Sequence, residues 1–176
     1  MAFNQSIHAQ SKFVDSVLNW VQSHPKVDSQ YILSLHRLSY VFSENDIKKS
    51  FAYYERVSTL SDSLNFIYGK SLAQINLGLL LSSSGNFEAS NNAYFKAIEY
   101  AEKCNGLRLK AVSLNNIGDN FSSLKDYEKC RGYTKQAIKI NMQLAAWRGV
   151  AVNYELLQQC DLGENLYANA KQNLDL

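Results

Sequence analysis

Two asparagines, Asn76 and Asn116, stand 40 residues apart, each two residues before a glycine (Gly78 and Gly118). Asparagine is a mediocre helix former, so helix propensity does not place it at a repeated helical position. Its side-chain amide offers two N–H donors and a carbonyl acceptor, the set needed to hold a peptide main chain whatever that peptide's side chains are. The same amide can instead bond between neighbouring helices and stiffen their stacking, and the residues alone leave both roles open. Other reactive groups are sparse. The histidines His8, His24 and His36 all fall near the N-terminal end, with no repeat-phased carboxylate or cysteine to complete a ligand set. A lone helical histidine is ordinarily solvated or hydrogen-bonded. No glycine loop follows a strand to cradle phosphate, and Gly-x-Ser-x-Gly does not occur. The expectation is a non-enzymatic protein without cofactor or metal.

Charge and cysteine usage bound the partners. Eighteen basic against sixteen acidic side chains give a formal charge of +2. The longest basic cluster is Lys48-Lys49, well short of the balance a dedicated nucleic-acid binder carries. No apolar run approaches the ~18 residues of a membrane span, and the N-terminus lacks a basic stretch followed by an apolar one. Direct nucleic-acid binding and membrane insertion are therefore not expected. Cys104, Cys130 and Cys160 form no Cys-x-x-Cys pair and match no zinc or disulfide framework, so reduced structural thiols and a reducing compartment are expected. That points to the cytoplasm, or to the periplasm if the chain is part of a membrane-bound sensor.

The elements that must position these residues follow from self-comparison. Leu72-Ala73-Gln74-Ile75-Asn76-Leu77-Gly78 aligns with Val112-Ser113-Leu114-Asn115-Asn116-Ile117-Gly118. Gly85-Asn86-Phe87-Glu88 aligns with Lys125-Asp126-Tyr127-Glu128, and Ala97-Ile98 with Ala137-Ile138. The register extends back to Asn45-Asp46 and Tyr54, and forward to Arg148-Gly149 and Tyr167. Each 40-residue period reads as two helices around a short polar turn. Small residues recur in the second helix (Ser50, Ser90, Cys130; then Val57, Ala97, Ala137), where they let helices approach to ~8 Å. The spacing predicts about nine helices, near 8–24, 30–43, 46–60, 63–83, 87–104, 107–123, 127–144, 147–160 and 164–176. Pro25 stops the first. A helix pair cannot bury its apolar stripe alone, so the pairs stack as an all-α superhelix, an α-α solenoid. One domain over 1–176 is expected, with a leading helix at 1–25, repeats at 29–61, 62–105 and 106–145, and a partial repeat at 146–176.

The set Leu77-Gly78, Gly85, Phe87, Tyr94 and Ala97 resembles a tetratricopeptide repeat, as does Ile117-Gly118, Phe121, Tyr127 and Ala137. The 40-residue length, with Leu-Asn-Asn-Ile-Gly, is similar to the long-period subclass of kinesin light chain and bacterial signalling proteins. The first repeat departs with Leu38 at the glycine position, and the last with Gln158 there and Asp161 at an aromatic position. The resemblance implies a concave groove lined by first helices. At its groove positions stand Ile32, Leu35, His36, Ser39 and Phe42, then Leu72, Ile75, Asn76 and Leu79. Val112, Asn115, Asn116 and Asp119 follow, with Val152, Glu155 and Leu156 in the last repeat. It also implies that Asn76 and Asn116 clamp a ligand main chain. None of these positions holds lysine or arginine, so an acidic C-terminal tail is not the expected ligand; a segment with an apolar anchor and a basic or donor-rich end fits better. The expected partner is a protein or peptide, in a sensory or interaction segment of a larger bacterial regulator. The alternative is a homodimer scaffold built on incomplete end repeats, since Leu176 arrives before the last second helix would finish.

Overall fold

The computed structural model describes residues 2–43 and 45–174, with side chains for 12–43 and 45–166. Among these residues there are eight helices and no strand: α1 (Ala2–Ser23), α2 (Ser29–Phe42), α3 (Ile47–Ser63), α4 (Ile67–Ser83), α5 (Phe87–Lys103), α6 (Leu107–Ser123), α7 (Tyr127–Gln143) and α8 (Trp147–Leu174). The side chains of His8 and Tyr167 lie outside the described set, as do residues 175 and 176.

The backbone repeats at half the sequence period. Helices α3 to α7 are 17 residues each, and the residue closing each turn has positive φ: Asn65, Gly85, Asn105, Lys125 and Ala145, at intervals of 20. At every one of these turns the N–H one residue further on donates to a carbonyl five residues back, at 2.7–2.9 Å. This is the Schellman closure, which satisfies the last carbonyls of a helix. The following starts alternate. Asp46, Asn86 and Asp126 each accept a hydrogen bond from the backbone N–H three residues on, capping α3, α5 and α7. Phe66 and Gly106, before α4 and α6, make no such bond. From α3 to α7 this alternation of capped and uncapped helices is part of the 40-residue signal in the sequence; α2, capped by Asp28, departs from it.

Packing follows the same alternation. α2, α4, α6 and α8 touch one another in succession, and each of α3, α5 and α7 sits between two of them. α3, α5 and α7 have no close backbone approach to one another, and α5 meets α7 only through side chains such as the Phe95 and Tyr133 rings, centroids 6.1 Å apart. The stack is therefore tight along one row and splayed along the other, which curves it into an all-α superhelix with the even-numbered helices on the concave side. Small residues at the junctions hold the rows together. Ser50, Ser90, Cys130, Val57, Ala97 and Ala137 are all buried. At Gly78 an added Cβ would meet the Tyr94 ring at 2.5 Å, so only glycine lets α5 lie this close to α4. Burial of that ring raises the Tyr94 pKa further above its ordinary value.

Two expectations are corrected. The helices predicted at 147–160 and 164–176 are one continuous helix, α8. The position in register with the caps Asp46, Asn86 and Asp126 is Leu166, which has no side-chain acceptor to start a new helix. Without that cap the first helix of the fourth period runs on. The second correction concerns the thiols: Cys130 and Cys160 form a disulfide, with Cα atoms 6.6 Å apart, joining α7 to α8. Thirty residues separate them, beyond any local motif, and α8 packing on α7 brings them together. In the preceding layer Asn120 donates to Ser90 Oγ at 2.9 Å across the equivalent junction. With the bond present, cysteine usage no longer argues for a reducing compartment.

Candidate binding groove

The concave row is where the predicted site residues lie, but they divide by depth. Leu72 and Ile75 belong to the central core with Tyr94, Ala97 and Ile117, and Ile32 and Leu35 to the core beside α3. Leu156 packs with the Cys130–Cys160 pair. Ser39 is fully buried and donates to the Ser50 carbonyl at 2.9 Å. These side chains offer no surface to a ligand, because in this close stack the even-numbered helices pack on each other as well as on their own partners. Phe42 and Leu79 are half-buried, Phe42 stacking on Tyr53 with centroids 5.8 Å apart. The reachable residues concentrate on α6 and α8: Val112 and Val152 are exposed, Asp119 and Glu155 are exposed, and Asn116 is half-buried. Neighbouring groups that desolvate the Asp119 carboxyl push its pKa up even though the residue keeps contact with water. Two apolar side chains thus alternate with two acids on one wall.

The asparagines separate into two kinds. Asn153 donates to Asn115 Oδ1 at 2.6 Å and accepts from Asn141 Nδ2 at 2.8 Å, tying α6, α7 and α8. Asn120 donates to Ser90 and to Asn91 Oδ1 at 2.7 Å and accepts from Ser82, tying α4, α5 and α6. Asn115, a predicted groove residue, is therefore a structural acceptor. Sequence reasoning missed Asn120, Asn141 and Asn153, since none repeats at 40 residues. Asn76 behaves differently. It is 2% exposed, yet neither its Oδ1 nor its Nδ2 has a hydrogen-bond partner among the described residues. Asn116, in the same phase, makes no side-chain hydrogen bond among those described.

His36 occupies that phase one period earlier, so His36, Asn76 and Asn116 form a row along α2, α4 and α6. The buried His36 Nδ1 is also without a partner. Burial pushes the imidazole pKa down to about 4, and the nearby Asn76 amide pulls the other way too weakly to offset it. At neutral pH the row is uncharged, and the His36 ring and the Asn76 amide, each without a partner of good geometry, are polar neighbours of one another. No group of three metal-ligating side chains occurs among the described residues. None of the described helices is long and apolar enough to cross a membrane.

The comparison that decides the repeat type covers the second period, with Gly78, Gly85 and Tyr94 in it: residues 72–107 match the tetratricopeptide repeat family. Residues 72–107 form a tetratricopeptide repeat. The crystal structure of BtubC (BKLC) from P. vanneervenii is similar over 97% of this chain and 76% of that one, with a TM-score of 0.62 and 15% sequence identity. That likeness shows the fold, a helical repeat. No curated protein matches the sequence. Tetratricopeptide repeats point to a protein-interaction module in general, and their fold is typically non-catalytic. The match names the repeat without fixing its 40-residue subclass.

Proposed function

We propose that the chain is a non-enzymatic peptide-binding module, the interaction segment of a larger regulatory protein. Its concave row takes an extended segment whose main chain is held by Asn76 and Asn116. The observation that carries this reading is the unpartnered Asn76 amide. Leaving a buried polar side chain unsatisfied costs about 1–3 kcal/mol, and such groups in native proteins ask for a missing partner. A peptide main chain supplies both a donor and an acceptor. Reaching Asn76 requires concave-face side chains to move aside, whereas Asn116 is accessible without movement. Val112 and Val152 suit an apolar side chain of the ligand, and Asp119 and Glu155 suit a basic one.

The test is selection of peptides from a random display library against the intact chain, followed by affinity measurement. Enriched peptides are expected to carry an apolar residue near lysine or arginine. Asn76→Ala/Asn116→Ala should bind them at least about tenfold more weakly while keeping its helical signal, one lost hydrogen bond being worth roughly 1 kcal/mol. Unchanged affinity in a folded double variant removes the clamp.

A further inference from the structure

In the interior of the stack, each even-numbered helix is covered on the side facing its own hairpin partner. On α6 that side carries Ala111, Leu114 and Gly118, all buried beneath α7. The same register on α8 gives Ala151, Tyr154 and Gln158, all exposed, because no helix folds back over α8 within the described residues. Trp147 extends this face at one end, Leu162 and Leu166 at the other. Their exposures are 68% for Trp147, 52% for Tyr154, 55% for Leu162 and 69% for Leu166. Residues 147, 151, 154, 158, 162 and 166 follow helical spacing, so one stripe, apolar except at Gln158, runs about 28 Å along the helix at 1.5 Å per residue.

What covers this stripe is limited by Gln158. At Gly118 an added Cβ would meet Thr134 Oγ1 at 2.6 Å, and at Gly78 the Tyr94 ring. A helix docked as closely as α5 on α4 or α7 on α6 cannot sit over a glutamine in that phase. The stripe is instead complementary to itself. With a two-fold axis between residues 156 and 157, antiparallel copies of α8 place Trp147 against Leu166 and the small Ala151 against Leu162. Glu155 then faces the neutral Gln158, so no like charges are opposed. The four large side chains expose on the order of 500 Å², so two copies bury roughly 1,000 Å² before flanking residues are counted, the threshold for a specific interface.

We propose that the open face of α8 is a homodimer interface, formed by antiparallel pairing of α8 with α8 of a second copy. It adjoins the peptide groove at Glu155, but its anchors Trp147, Tyr154, Leu162 and Leu166 lie outside that groove. Such an interface is isologous, each copy giving the same patch.

Light scattering coupled to size exclusion tests this on the full chain. The native protein should move from 19.9 kDa towards twice that mass as concentration rises. Trp147→Glu/Leu162→Glu, which changes only exposed positions, should weaken association at least about 100-fold, as expected when central anchors are lost. Ala151→Cys/Leu162→Cys, in a Cys104→Ser background, provides a second, covalent readout, since the two positions face each other in the paired helices. Its two new thiols are about 16 Å apart on one straight helix and cannot pair within a chain. Oxidation with glutathione disulfide should therefore give a covalent dimer at dilute concentration. A monomer at every concentration, or a dimer untouched by the double glutamate, overturns the proposal. So does an Ala151→Cys/Leu162→Cys variant that stays monomeric under oxidation.

Discussion

Asn120 and Asn76 are both almost fully buried in helices of the concave row, and they differ in what their amides meet. Asn120 spends both donors and its acceptor on Ser90, Asn91 and Ser82. Asn76, two helices earlier in the chain, spends none. A bonded asparagine joins three helices and specifies how they stack. An unbonded one at a repeated phase is costly to the free protein, and that cost is removed when a ligand supplies the partner. Residue type alone therefore does not distinguish scaffold from site; the state of the hydrogen bonds does.

The largest loss on removing a scaffold contact is expected at the junction between α7 and α8, where a disulfide stands in the register of the Ser90–Asn120 bond. Closing a loop of this length is worth about 3.6 kcal/mol in the chain-entropy account. Reducing Cys130–Cys160, or Cys130→Ser/Cys160→Ser, should lower unfolding stability by that order in urea titration, with α8 losing amide protection first. An unchanged midpoint would mean the bond constrains nothing. Next in size, Asn120→Ala should cost about 2 kcal/mol, because Ser82 and Asn91 are left without their partner. Asn116→Ala should cost less than about 0.5 kcal/mol in the same titration, being a half-exposed group with no bond to lose. Equal losses at the two sites would place Asn116 with the scaffold.

The row containing Asn76 also has a pH signature, separable by mutation. The pKa of His36 is about 4 in the folded protein against about 6.5 when unfolded. The unfolded chain binds the proton more readily, so stability is full above pH 6.5 and falls as pH drops towards 4. Thermal unfolding across that window should show the decline, and His36→Gln should flatten it. A slope that survives the substitution would assign the effect to other groups.

Much of this was legible in the residues. The 40-residue register is written in Gly78/Gly118, in the caps Asn86 and Asp126, and in the buried Ser90/Cys130 and Ala97/Ala137 pairs, because each meets the same steric demand in each layer. The 20-residue backbone period was not legible. Lys125 and Ala145 hold positive φ without being turn formers, the packed helices on either side imposing a conformation worth roughly 1 kcal/mol of strain. The continuity of α8 turned on a single missing cap at Leu166. At the groove, the phase of Asn76 and Asn116 was visible, but their bonding state was not. The burial of Leu72, Ile75 and Ser39 arises from even-numbered helices packing on each other, which no single helix's pattern reports.

The most direct test follows the side-chain amide resonances of the asparagines while a display-selected peptide is titrated into the ¹⁵N-labelled protein. The Asn76 and Asn116 amide pairs should shift and gain protection from solvent exchange, while those of Asn120 and Asn153, already bonded between helices, stay in place. Saturable binding that leaves Asn76 and Asn116 unmoved, or shifts residues of α3, α5 and α7 instead, would contradict the reading of the concave row as the binding site.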